Sequence, residues 1–263
     1  MADGRPNRLL ALLLLALGAL GLTPSCTGPS GHGEILGSVD AAPCWQGRFD
    51  LKPDFFGTAP YRDKILFRIQ KGSDIQTFAD GLSLEVDDVN RVYASLGKPL
   101  AVTLPVAVRA QGVPIVPESE PGLVHLSLYL HRSCKTQTVT LHAVREVALP
   151  ADGRCDAEIV AGADVDSACS RTSGGGAGTG KSRIVFTSIH TGDATAPSEG
   201  RPTPTPRPSG AVDPERTAGC FDVYLADPRE ANPVTLEPPP CRGHLRGKFD
   251  FLHERARPSQ AFP

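Results

Sequence analysis

The chain has 263 residues, enough for one or two ordinary domains, with 27 Lys and Arg against 29 Asp and Glu. That near balance offers no reason for a clustered basic surface, so nucleic acid is not an expected partner. Gly (27) and Pro (25) supply about a fifth of the residues, high for a globular protein but below the roughly 25–30% that marks disorder throughout.

The N-terminus carries the strongest signal. Residues 1–8 hold Arg5 and Arg8 against one acid, Asp3, and 9–21 (LLALLLLALGALG) form an uninterrupted apolar run. A basic flank before a run this short predicts a secretory signal peptide over 1–25, because a membrane-spanning helix needs about 20 apolar residues. Leu22, Thr23, Pro24, Ser25 and Cys26 follow, and they resemble a bacterial lipobox, in which a small residue precedes a cysteine that becomes diacylated. Leu22 stands one position early and Pro24 is unusual there, so cleavage near Ser25 with release of a soluble protein is the alternative. Loss of 1–25 removes two bases and one acid, which leaves a slightly acidic mature chain whose membrane contact would be acyl chains on Cys26. Residues 27–33, mostly Gly, Ser, Thr and Pro, read as a flexible tether.

Seven cysteines are an odd number, unusual after export. With Cys26 acylated, Cys44, Cys134, Cys155, Cys169, Cys220 and Cys241 remain, and six can form three disulfides in fifteen ways in an oxidising compartment. Zinc is not expected, because no CxxC or HxxxH spacing is present to build a tetrahedral site.

From Glu34 onward the periodicity is two. Residues 61–70 and 100–109 read as strands, the second at an edge or interrupted because of Pro105. Residues 87–96 read as the one helix, with Asp87 and Asp88 at its start, Val89, Val92 and Leu96 at helical spacing, and Gly97 and Pro99 as stops. Over 123–131 (LVHLSLYLH), Val124, Leu126, Leu128 and Leu130 face one way while His125, Ser127, Tyr129 and His131 face the other, a half-buried strand. The alternation resumes over 136–149, with a turn or bulge at Arg145, and β-like runs recur at 183–189, 221–226 and 247–253.

Many short strands and one short helix predict an all-β fold, an antiparallel β-sandwich of immunoglobulin-like or jelly-roll-like type, formed by a single domain over 34–263. Low-complexity stretches predict disordered loops at about 163–180 and 192–219. The pattern glycine, base, Phe, Asp, apolar occurs at 47–51 (GRFDL) and again at 247–251 (GKFDF), which suggests two equivalent strands, neighbours in the sheet, or chance.

No segment assembles a catalytic motif. Residues 175–182 (GGAGTGKS) match the P-loop pattern, but a buried strand must precede it and a helix follow, whereas 183–189 reads as strand. Ser95 and Lys98 match the S-x-x-K of penicillin-binding proteins, with His190-Thr191-Gly192 as a counterpart to their K-T-G. The serine falls at the end of the helix rather than its start, however. Asp164 and Asp166 are too few oxygens for calcium by themselves. His125 and His131 read as exposed polar-face residues, and Trp45 as a core anchor rather than a sugar platform.

Four segments together, 44–56 (CWQGRFDLKPDFF), 80–89 (DGLSLEVDDV), 124–134 (VHLSLYLHRSC) and 247–263 (GKFDFLHERARPSQAFP), resemble uncharacterised envelope lipoproteins of myxobacteria-like bacteria. The resemblance implies a lipid-anchored β protein and transfers no activity. It suggests that Cys44 pairs with Cys134, with Cys155–Cys169 and Cys220–Cys241 following. The resulting expectation is a non-enzymatic, lipid-anchored envelope protein with a structural or partner-binding role and no cofactor. Its partners would be the membrane through Cys26 and an envelope protein or glycan. Thr27, rather than Asp, after Cys26 favours the outer membrane. A hydrolase acting on cell-wall polymer or glycan is the alternative, and a secreted, unlipidated binding module a third.

Overall fold

The computed structural model describes residues 31–61, 63–72, 79–105, 122–135, 139–151, 155, 178–190, 216–230 and 237–252. Cys26, Cys169, Asp164 and Asp166 lie outside these, as does most of the two predicted loops.

The described residues form strands β1 (Gly31–Ala41), β2 (Trp45–Leu51), β3 (Phe55–Tyr61), β4 (Lys64–Gln70) and β5 (Asp80–Val86), then helix α1 (Val89–Tyr93). Strands β6 (Leu100–Ala101), β7 (Val124–Leu130), β8 (Val139–Ala143), β9 (Glu146–Ala148), β10 (Thr179–Lys181), β11 (Arg183–Ser188), β12 (Arg216–Ala226) and β13 (Gly243–Leu252) follow. The fold is antiparallel all-β. Eleven strands belong to one sheet whose main path runs β2-β1-β13-β12-β8-β7-β5-β4-β3, and β9 and β10 form a separate ribbon. Strand β12 holds the two halves together by changing neighbour along its length: 218–222 pair with β11, whereas Leu225 and Ala226 pair with β8.

The sheet curls until its ends face each other. Phe251 on β13 stacks on Phe56 of β3, centroids 5.1 Å apart, and meets Phe67 of β4 edge-on at 5.8 Å, although neither strand pairs with β13. The sandwich core is therefore the concave face of one continuous sheet. Alternate residues of each strand fill it: Leu126, Leu128 and Leu130 of β7, Leu82, Leu84 and Val86 of β5, Phe249 and Phe251 of β13. Each such side chain fully buried contributes about 1.5–3 kcal/mol. Gly247 leaves room for the Phe221 ring opposite it; a Cβ there would fall 2.5 Å from the ring.

Several expectations change. The helix is one turn, Val89–Tyr93, with Asp88 as N-cap accepting from the Arg91 amide at 3.0 Å, and Gly97 at φ +75° ends the turns after it. Asp87 does not cap it but reaches Lys64 and His125. The tether is shorter than 27–33, because Gly31–Ala41 is already strand paired to β13. Of the two low-complexity stretches, Thr179–Lys181 is strand β10 and 216–219 belong to β12, where cross-strand pairing supplies the order that their composition lacks. The two similar pentapeptides lie on β2 and β13, which flank β1 on opposite sides rather than touching.

Candidate functional site

The cysteines come first among the predicted site residues. Cys44, in the turn after β1, is bonded to Cys134, just beyond β7, with Cα atoms 5.2 Å apart, the pairing that the resemblance suggests. Cys155 is bonded to Cys241, Cα atoms 6.4 Å apart, which corrects both Cys155–Cys169 and Cys220–Cys241. Register explains the correction. Cys220 sits opposite Lys248 in the β12–β13 pair, and Cys241 precedes β13 by two residues. Seven residues along a strand, at roughly 3.3 Å each, place them about 23 Å apart, well beyond disulfide reach. Cys220 is itself disulfide-bonded. Its partner lies outside the described residues, where the chain's remaining cysteines are Cys26 and Cys169.

A second group of side chains, spread through the sequence, gathers on the sheet face turned away from the core. Here the half-buried reading of β7 needs correction: His125 is 1% exposed and Ser127 4%. A covering segment causes this. Val102 bridges to Val124, the Thr103 amide donates to the Val124 carbonyl at 3.0 Å, and a small apolar cluster of Leu104, Val144, Val147 and Ala226 closes over the same face. Beneath it His125 Nε2 donates to Asp87 Oδ2 at 3.0 Å, while Nδ1 lies 2.9 Å from the Thr103 carbonyl and 3.2 Å from its hydroxyl. Lys64 Nζ donates to the other Asp87 oxygen at 2.7 Å. Burial works against the Asp87 carboxylate, but the hydrogen bonds from Lys64 and His125 outweigh it and hold the carboxyl below its usual range. His131 stacks on Tyr129, centroids 5.7 Å apart.

One row further, Ser127 Oγ and His142 Nδ1 share a hydrogen bond of 2.9 Å across the β7–β8 pair. Burial pushes His142 down to about 4; the nearby Asp227 carboxylate opposes that shift and Arg229 adds to it. Arg229 grips Asp227 through Nε at 2.9 Å and through its own amide at 3.0 Å, which lowers that carboxyl. His142 is therefore neutral at pH 7. Its folded value is below its free value, so the stability it allows is complete above pH 6.5 and is lost as pH falls toward 4. Unfolding at pH 7 and pH 4.5 should differ by about 2 kcal/mol from this group. In His142→Gln that slope should disappear, as read from urea midpoints at the two pH values.

The third group sits on the neighbouring half of the sheet. His244 on β13 donates through Nε2 to Asp222 Oδ1 at 2.6 Å, and its Nδ1 lies 3.0 Å from the Cys155 carbonyl. Arg246 Nε donates to Asp222 Oδ2 at 2.9 Å, and Tyr224 stacks on the His244 ring at 4.1 Å. Gly180 lies so close over Tyr224 that a Cβ would fall 2.7 Å from its ring. Burial opposes ionisation of Asp222, but His244 and Arg246 outweigh it and hold the carboxyl low. The group ties Cys155, and with it the Cys155–Cys241 bridge, to the sheet.

The remaining candidates lie in the core or in turns and strands around it. Trp45 packs against the core and edge-on to Phe49 at 5.6 Å, with its Nε1 buried and unpartnered. Ser95 and Lys98 lie in the turns after α1, the Lys98 amide donating to the Ser95 carbonyl. The end of the P-loop match enters β10, Ser182 is buried with its hydroxyl accepting from the Tyr224 amide at 2.9 Å, and strand β11 follows. Among the described residues no group of three or more His, Cys, Asp or Glu is placed to hold a metal ion, and no helix is long and apolar enough to cross a membrane. His142, Asp222 and His244 had no sequence signal, since each stands alone in its strand and only register brings its partner across. No family model, curated protein or solved structure matches the chain.

Proposed function

We propose that the protein is a lipid-anchored bacterial envelope protein with a structural or partner-binding role, held to the outer membrane by acyl chains on Cys26. The observation that carries the proposal is the cysteine inventory. Disulfides Cys44–Cys134 and Cys155–Cys241, with Cys220 also bonded, fit an oxidising compartment outside the cytoplasm. The apolar run 9–21 ahead of Cys26 supplies the route there. With an odd number of cysteines, one must stay outside the disulfides. Acylation of Cys26 accounts for it and requires that Cys220 pair with Cys169.

Intact mass of the mature protein taken from membranes, before and after reduction, tests this directly. The expected species begins at Cys26, carries acyl chains, and gains two hydrogens for each of three disulfides; a digest yields a Cys169–Cys220 peptide. A Cys26–Cys220 peptide, or an unlipidated soluble species, would sink the proposal. The hydrolase reading has one feature in its favour, the hydroxyl–imidazole pair of Ser127 and His142. Ser127 is buried within a paired strand, so a substrate could reach it only by displacing the residues above it. A fluorophosphonate that labels Ser127 in the folded protein would move that reading ahead.

A further inference from the structure

We propose that β2 is a self-association edge through which two copies of this chain join their sheets about a two-fold axis at Phe49. Among the described residues the sheet has three strands at its margins, and two are guarded. β3 carries Pro60, which has no amide hydrogen to offer a neighbouring strand, and β6 is two residues long. β2 is seven residues long, contains no proline, and pairs only with β1. Its Gln46, Arg48 and Asp50 are exposed on the face opposite buried Phe49 and Leu51. Its outer backbone groups are therefore placed to continue the ladder.

The charges on that edge select both partner and register. Arg48 and Asp50 stand two residues apart on one face, their nearest atoms at 3.5 Å. In an antiparallel two-fold pair, residue i opposes residue 2k − i of the second copy, where k lies on the axis. With Arg48 on the axis, arginine faces arginine. With Asp50 on the axis, aspartate faces aspartate and Arg48 faces Lys52. With Phe49 on the axis, Arg48 of each copy faces Asp50 of the other, twice over, and Gln46 faces Lys52. Opposite charges directly across a pair stabilise it and like charges oppose it. Of these three registers only the one centred on Phe49 avoids like charges, and it keeps Phe49 and Leu51 of both copies on the core side. The strand is thus complementary to itself, an isologous contact.

Sedimentation equilibrium of the mature chain in density-matched detergent, acyl chains included, tests the proposal. Wild type is expected to reach dimer reversibly with concentration. R48D and D50R each place like charges opposite one another at both symmetric positions, and each should weaken dimerisation roughly tenfold. R48D/D50R restores the unlike pairs in the same register and should restore dimerisation. All four side-chain changes are at exposed sites, so melting curves should superimpose and separate a lost contact from a lost fold. A wild-type monomer at every concentration, or a dimer indifferent to R48D and D50R, would overturn it. Because the register depends on β2 alone, failure here leaves the anchor on Cys26 untouched, and an unlipidated Cys26 leaves the dimer standing.

Discussion

Replacing Cys44 and Cys134 with Ser is expected to cost about 4–5 kcal/mol, the entropy released to the unfolded chain when a loop of this length is opened. The bridge joins residues 90 apart in sequence, from the turn between β1 and β2 to the segment after β7. Those strands lie far apart in the sheet order and meet only because the sheet curls. Cys134 is buried against the main core, so the substitution also leaves a polar hydroxyl where sulfur packed. A domain of this size has about 5–15 kcal/mol in total, and the loss should appear as a large fall in the urea midpoint, with a steeper slope because the opened unfolded chain exposes more surface. An unchanged midpoint would mean that packing alone holds the curl closed.

Asp222→Ala is expected to cost about 2–3 kcal/mol at pH 7, because it removes one member of a half-buried charged group and leaves two donors without their acceptor. His244 Nε2 and Arg246 Nε both give their hydrogens to this carboxylate, from 2.6 and 2.9 Å. Asp222→Asn should cost less, since it keeps one acceptor. The pH dependence has a definite sign. Asp222 has its carboxyl lowered in the folded protein, so its contribution is complete above the free value of 3.8 and is lost as pH falls through the lower folded value. Wild type and Asp222→Ala should therefore converge in strong acid. Parallel unfolding free energies at pH 7 and pH 2.5 would show that Asp222 is not held as described. His142 acts in a higher window, between 6.5 and about 4, so the two groups can be told apart by pH alone.

The outer face that these groups occupy also accounts for the limits of sequence reading. Strand β7 was legible because Leu126, Leu128 and Leu130 alternate with polar residues, and alternation follows directly from side chains leaving a strand on opposite sides. The same alternation suggested that His125 and Ser127 meet water. A one-dimensional pattern reports polarity, not cover, and the cover comes from 102–104, about twenty residues upstream. Strand β5 carries the same period in Leu82, Leu84 and Val86. Strands β1 and β3 offered less: β1 is interrupted by glycines, and β3 contains Pro60 in its ladder. Their order comes from partners on either side.

By itself the sequence determined the all-β class, the core face of β7, a short helical segment around Val89, and an odd number of cysteines. Each follows from neighbours within a few positions, where backbone geometry and residue chemistry are enough. Only the tertiary structure decided that one curled sheet encloses the core, that Cys155 reaches Cys241 rather than Cys169, and that buried His125, half-buried His142 and buried His244 meet Asp87, Ser127 and Asp222. Those contacts depend on strand register and on which segment covers which face. Loop closure costs only slowly rising free energy with length, so sequence separation is a poor guide to which of two cysteines is near.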